Sequence, residues 1–309
     1  MSSYAQELCC YVGQQTVFED ASELLKLLKG IDINSKQIER ICHIYGRKIE
    51  QIKEIQVEKQ EVKQYPNSTK DTIHYAMMDG GMFLTRTDGW NEVKLGRVFS
   101  QDNNILINKD RGLITETEYI AHLGTHTHFI EKFQFYLKNL PNPVFICDGA
   151  KWIWNYIDDY YPNSVQILDY FHGCEHLYDF SKTYFHINKR KKWESEQIEL
   201  INNDGIGKVI QNLENLEVLD DEKKAESKRL LIQYFKRNQK RMMYKTFKDK
   251  GLLIGSGAIE SAIRCVLQQR MKLSGQRWTK EGFQEVANLR TIYKSKKGET
   301  ITQLVKMAA

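Results

Sequence analysis

Only 4 prolines occur in 309 residues, which excludes long proline-rich linkers. No apolar run approaches the roughly 20 residues a membrane span requires, so no membrane partner is expected. The N-terminus MSSYAQELCCYVGQQ has no basic start followed by an apolar stretch, so no secretion signal is read there. The six cysteines (Cys9, Cys10, Cys42, Cys147, Cys174 and Cys265) show no CxxC spacing, and reduced thiols in a cytoplasm are the expectation. No GxxxxGK(S/T) occurs, so no nucleotide cofactor held by a P-loop is expected. What is present is an ordinary globular composition, 41% hydrophobic and 28% charged, able to bury a sizeable core and rule out disorder throughout. A net charge of +5 permits a polyanionic partner without demanding one.

Helical periodicity begins at Phe18, with Ala21, Leu24, Leu25 and Leu28 on one face and Gly30 as the stop. Asn34-Ser35 is an N-cap for a helix from Lys36 that buries Ile38, Ile41 and Tyr45 and turns Lys36, Gln37, Arg40, Arg47 and Lys48 outward. This resembles a helix-turn-helix unit with Lys36 and Arg40 facing DNA, although any small helical hairpin has the same pattern. A charged helix over 51 to 63 then links to a boundary at Pro66-Asn67-Ser68. Strands are predicted near 73–78, ending at Asp79-Gly80-Gly81, and over 92–100 and 105–107. A helix is predicted over 115–139, a buried strand over 144–147, a helix over 151–160 and a strand over 164–168. Residues 173–250 read as helices only, a helix bearing Glu260 runs from about Ala258 to Lys272, and a C-terminal helix follows. The order describes an α/β protein with a mixed sheet. Its segments are 1–65, helical and helix-turn-helix-like; 70–172, the first part of the sheet domain; 173–250, an all-helical basic insertion; and 251–309, the remainder.

Three carboxylates stand where a metal site would use them. Asp79 and Asp148 each follow an apolar strand and precede glycine, and Glu260 lies one turn into a helix with a glycine-rich start. Hard divalent ions take carboxylate oxygens, and two of them about 3.5–4 Å apart can drive an in-line displacement at phosphorus. Asp-Gly after a strand is also a routine turn. Asp169-Tyr170-Phe171-His172 places a carboxylate and an imidazole at the next strand end, as support for such a site or as a capping aspartate and a buried histidine. His122, His126 and His128 lack the further ligand a zinc site needs. Trp152 and Trp154 read as core, and Cys147 as a small core residue. Nine Lys or Arg against two acids over 226–250, interleaved with Tyr234, Phe235, Tyr244 and Phe247, favour a phosphate backbone as partner.

The stretches Asp79-Gly80-Gly81 with Arg86, WNEVKLG (90–96), CDGAKWIW (147–154), ILDYFH (167–172), GSGAIES (255–261) and RMKLSGQRW (270–278) together resemble the transposases of bacterial insertion sequences. More narrowly they resemble the Kra-type group, over roughly residues 15 to 295. The resemblance implies a ribonuclease H-like catalytic domain and a DDE triad of Asp79, Asp148 and Glu260 binding two Mg²⁺, with Mn²⁺ as substitute. It implies Asp169 and His172 as an accessory motif, and it leaves open whether Asp148 or Asp169 is the second carboxylate. Arg264, Arg270, Lys272, Arg277 and Trp278 would contact double-stranded DNA, and the enzyme would act as a homo-oligomer on element ends and target, in the bacterial cytoplasm on the nucleoid. Members of the group carry a cysteine-rich, zinc-ribbon-like stretch ahead of the helical segment, which Cys9-Cys10 cannot replace. A truncated, non-catalytic DNA-binding remnant or regulator is therefore the alternative expectation, and a nuclease without strand transfer a third.

Overall fold

The computed structural model describes residues 1–66, 68–69, 71–108, 111–217 and 221–307. Asn67, within the expected boundary, lies outside them. The fold is mixed α/β, a five-stranded sheet of mixed strand direction flanked by helices, consistent with a ribonuclease H-like arrangement. The chain divides into two compact units, Met1–Pro143 with Ile259–Ala309, and Val144–Ala258. Residues 1–65, read from sequence as a segment of their own, belong to the same unit as the first strands.

The first unit opens with α1 (Ser3–Gln15), which the sequence reading did not anticipate; the Ser2 hydroxyl caps it by accepting from Ala5 N at 3.3 Å. Helix α2 (Phe18–Lys29) ends at Gly30 with φ 63°, the left-handed stop that glycine tolerates. Asn34 then caps α3 (Ser35–Glu58), accepting from Gln37 N at 2.9 Å. This helix has 24 residues, so the two successive helices expected after Lys36 are one. Its buried stripe of Ile38, Ile41, Cys42, Tyr45 and Ile49 packs with Cys9, Cys10, Ala21, Leu25, Leu289, Ile301 and Val305. Each large apolar side chain buried this way contributes roughly 1.5–3 kcal/mol. Leu24 and Leu28, expected beside Ala21 and Leu25, are instead 38% and 70% exposed.

Strand β1 (His74–Thr85) pairs antiparallel with β2 (Gly89–Ser100). It does not stop at Asp79-Gly80-Gly81 but runs through them, with Asp79 opposite Leu95 and Gly81 opposite Val93. The glycines therefore serve close approach and make no turn. A Cβ at Gly80 would lie 2.3 Å from Glu92 Oε1, and one at Gly81 would lie 3.2 Å from the Phe83 ring and 3.5 Å from Ile263. Strands β3 (Asn104–Asn108) and β4 (Arg111–Ile114) form a separate hairpin. The helix expected over 115–139 is two elements. β5 (Glu118–Leu123) pairs antiparallel with β2, and α4 (His126–Leu137) starts only after Gly124, whose φ is 147°. The EYIAHL stretch satisfied a helical spacing through Ile120 and Leu123, but Gly124 and the Thr125 cap place the helix start beyond it.

In the second unit β6 (Pro143–Cys147) and β7 (Val165–Leu168) are parallel and joined by α5 (Lys151–Tyr160), a right-sized crossover as the sequence predicted. Helices α6 (Tyr170–Tyr184), α7 (Ile187–Asn202), α8 (Ile206–Glu214), α9 (Glu222–Asn238) and α10 (Tyr244–Asp249) follow, and no strand interrupts them among the described residues. The chain then returns to the first unit. Helix α11 (Gly257–Ala262) continues through a π-helical stretch, Ile263–Gln268, into α12 (Gln269–Met271). Helices α13 (Lys280–Lys294) and α14 (Gly298–Lys306) close it.

The packing of α13 is intimate. A Cβ on Gly46 of α3 would lie 2.2 Å from the backbone carbonyl oxygen of Glu285, so only glycine allows this crossing. From the same helix, the almost fully buried Arg290 donates to the carbonyls of Cys265, at 2.6 Å, Val266 and Gln14. A π stretch displaces backbone carbonyls from regular i to i+4 partners, and the guanidinium of Arg290 supplies donors there. Five of the six cysteines are buried, and Cys265 is half-buried. Among the described residues no helix is long and apolar enough to cross a membrane.

Candidate active site

In the first unit, β1 is buried on both faces from His74 to Met78, and that cover opens at Asp79, which is half-buried. Its Oδ1 accepts from Gly80 N at 2.6 Å. Residues two apart share a face of a strand, so Asp79 points to the side on which Gly81 faces Ile263. Ile263 lies three residues after Glu260, one helical turn on. The element bearing Glu260 thus packs on the face of β1 that bears Asp79, and Glu260 itself is exposed.

Around these two carboxylates the basic residues divide. Arg264, Lys272 and Arg277 are exposed, and the Lys272 ammonium stands 5.4 Å from the Trp90 ring and 5.8 Å from that of Phe83. Arg270 and Trp278 are not available to DNA. Arg270 is 1% exposed, sandwiched 4.9 Å from Phe18 and 5.3 Å from Trp278, with its Nε donating to Gly13 O at 3.1 Å. Burial lowers its pKa to about 10. Trp278 spends its indole N–H on Met271 O at 2.9 Å, and its backbone bridges Leu84 and Arg86. Both were expected to touch DNA because their motif is basic and aromatic; they are instead the wedge that fixes the loop after α12 to the end of β1. Lys36 and Arg40 are exposed on the first turns of α3.

In the second unit, Cys147 and Leu168 are register partners on parallel strands, so Asp148 and Asp169 leave the sheet side by side at its carboxyl edge. Ligands of α/β sheets bind at that edge. The two aspartates differ in what remains of them. Asp169 is fully buried, and both oxygens accept backbone N–H groups, from His172 at 2.5 Å and from Ser256. It caps α6 and ties it to the segment before α11, the capping alternative the sequence left open. Asp148 is half-buried, and one oxygen accepts from Ala150 N at 3.0 Å at the start of α5.

Gly149 permits a close neighbour, since a Cβ there would lie 2.4 Å from the Tyr234 ring of α9. The buried Tyr234 hydroxyl has no hydrogen-bond partner among the described residues, and burial, with the Asp148 charge next, raises its pKa. Tyr234 packs 4.1 Å from the His176 ring, which lies 4.8 Å from that of His172. Burial, then the neighbouring His172, lowers the pKa of His176, which favours its neutral form. His172 is 37% exposed and sits 3.6 Å from Glu175. Sequence reasoning noted Tyr234 only among the aromatics of the basic segment and missed His176, although the i, i+4 spacing from His172 was in view.

The sequence from residue 47 to residue 307 matches the family described as Uncharacterised protein family (UPF0236). The chain belongs to UPF0236. No curated protein matches it. The UPF0236 match begins inside α3 and takes in all the carboxylates above, whereas α1, α2 and the exposed Lys36 and Arg40 lie ahead of it. Carboxylate oxygens suit a hard divalent cation. Among the described residues, however, no group of three or more His, Cys, Asp or Glu side chains could hold a metal ion, His122, His126 and His128 included.

Proposed function

We propose that this chain is a DNA transposase: it cleaves a strand at the end of a mobile element and joins the freed 3′-hydroxyl to target DNA. UPF0236 is commonly associated with transposase-like proteins, in keeping with the resemblance carried by the six motifs. The observation that carries the reading is the pairing of Asp79 on β1 with the Glu260-bearing helix, locked face to face through Gly81 and Ile263. In cleavage, a water oxygen attacks phosphorus, the bond to the 3′-oxygen breaks, and the water's proton passes to a carboxylate while the leaving oxygen gains one. In joining, the new 3′-hydroxyl takes the place of water. Asp148, which gives one oxygen to Ala150 N where Asp169 gives both to backbone donors, is assigned the reacting role, and Asp169 and His172 a positioning one. Arg264, Lys272 and Arg277 supply cations for the duplex, on which copies of the chain assemble, on the bacterial nucleoid.

The test is cleavage and joining of the element's own end sequences by the full chain in Mg²⁺ or Mn²⁺. D79N, D148N and E260Q are expected to abolish strand cleavage while retaining duplex binding and the wild-type circular dichroism spectrum. Wild-type cleavage by any of the three would remove it from the site. Tight duplex binding without cleavage by the wild-type chain would refute the proposal in favour of a non-catalytic DNA-binding protein. Cleavage without joining of pre-cleaved ends would leave a nuclease.

A further inference from the structure

The second unit has a basic groove of about 910 Å³ whose lining includes none of the carboxylates Asp79, Asp148, Asp169 and Glu260. Lys151, from the first turn of α5, meets Lys236 and Arg237 from the end of α9 and Lys240 and Arg241 from the turn that follows. Arg241 is the floor. It is buried, donates to both oxygens of Asp158 at 2.7 and 2.8 Å and to Gln166 at 2.7 Å, and stacks 4.4 Å from the Trp154 ring. That pair cancels the one acid lining the groove. Lys236 is pinned by Glu214 at 2.6 Å, while among the described residues no ion pair involves Lys151, Arg237 or Lys240, and all three are exposed. Three unneutralised cations on one concave surface, drawn from separate elements, are an electrostatic footprint for a polyanion.

Two features narrow the ligand. The aromatic residues of the lining, Trp154 and Phe247, are 3% and 8% exposed, so no ring is free to stack on a base. A single-strand groove uses such rings, and this one offers cations alone. Its position is also directed. Arg237 lies one turn along α9 from Tyr234, with its guanidinium 6.0 Å from that ring, and Tyr234 covers Gly149 beside Asp148. We propose that this groove binds the phosphate backbone of duplex DNA without reading sequence, and leads it towards Asp148. The choice of DNA as the polyanion rests on the transposase reading; the groove itself does not.

The experiment measures binding of the full chain to a fluorescent 30-base-pair duplex of arbitrary sequence across a salt series. Each phosphate contact contributes about 0.9 to the slope of log affinity against log salt. The triple variant K151Q/R237Q/K240Q is expected to lower that slope by about 2–3 and the affinity by about tenfold or more. The control K189Q/K191Q/K192Q removes three exposed lysines from α7 and is expected to change the slope by less than about 1. Equal losses in both triples, or an unchanged slope in the first, would overturn the proposal. So would loss of inorganic polyphosphate binding with duplex binding intact, which would assign the groove to another polyanion. D148N in the same assay separates the two readings. Duplex binding through the groove without wild-type cleavage defeats the transposase proposal alone, and cleavage with normal binding by the groove triple defeats this one alone.

Discussion

Substituting Arg290 with Met tests whether the π-helical stretch after Glu260 is held open by one guanidinium. Among the described residues Arg290 has no carboxylate partner; its polar contacts there are the carbonyls of Cys265, Val266 and Gln14, with Gln14 Oε1 at 3.4 Å. Leaving three buried carbonyls unpaired costs about 1–3 kcal/mol each. Removing a desolvated, unneutralised cation recovers several kcal/mol of that. The net expectation is a loss of about 3 kcal/mol, which for a unit of this size lowers the melting temperature by about 6–12 °C. Thermal and urea denaturation followed by circular dichroism read the loss directly. Hydrogen exchange supplies the local readout, because amides from Ile263 to Gln268 are expected to lose protection before those of α3. Arg290→Lys keeps the charge but not the fork that reaches three oxygens, and most of the loss is expected to remain. A melting temperature within 1–2 °C of wild type for Arg290→Met, with unchanged protection over the π stretch, would refute the reasoning.

Arg270, in contrast, makes one hydrogen bond among the described residues, to Gly13, and has no partner for its buried Nη1 there, so Arg270→Met is expected to shift stability by no more than about 1–2 kcal/mol and to leave duplex affinity unchanged. Lys272→Gln with Arg277→Gln is expected to weaken duplex binding several-fold and lower its salt slope by about 2, read in the same titration. Gly46→Ala drives a methyl group into the Glu285 carbonyl and is expected to cost at least about 2 kcal/mol or prevent folding, seen in urea unfolding; a neutral outcome would mean that the α3 and α13 crossing relaxes. Burial, with the Lys132 charge next, lowers the pKa of His122 to about 4 from 6.5, so the unfolded chain binds the extra proton first and stability falls as pH drops from 6.5 towards 4. His122→Gln is expected to flatten that limb in thermal melts between pH 4 and 7, and an unchanged limb would remove His122 as its cause.

The parts of the fold legible in the sequence are those in which one local pattern had one solution. Val144 to Cys147 is a short apolar run after proline, Lys151 to Tyr160 a single amphipathic stretch, and Asn34 a cap with its helix behind it. The misreadings share a physical origin. Ile120 and Leu123 satisfy a helical spacing, yet cross-strand pairing with β2 decides their conformation. Asp79-Gly80-Gly81 has the composition of a turn, but its glycines answer to Glu92 and Ile263, contacts made by residues distant in sequence. Arg270 and Trp278 show the same limit at the candidate site. A basic, aromatic motif specifies which groups are present; whether a guanidinium faces solvent or is sealed between Phe18 and Trp278 depends on α1 and α2, about 250 residues away in the chain. The strand ends before Asp148 and Asp169 were legible because they are local features, whereas the different environments of these two aspartates were not, because backbone donors from Ser256 and Ala150 decide them.

The return of the chain from Val144–Ala258 to the first unit has a consequence for synthesis. The core around α1 and α3 includes Leu289, Ile301 and Val305, so it stays unsealed while the ribosome makes everything before them. The second unit is contiguous and has all its residues as soon as Ala258 has emerged. At about 5–20 residues per second, the remaining segment follows only seconds later. A chain terminated at Ala258 has Asp79 and Asp148 but lacks Glu260, α13 and the guanidinium that steadies the π stretch. Under the proposed function, strand cleavage would switch on only after Glu260 and α13 have been made, and copies terminated before them would be harmless to the DNA beside which they are made.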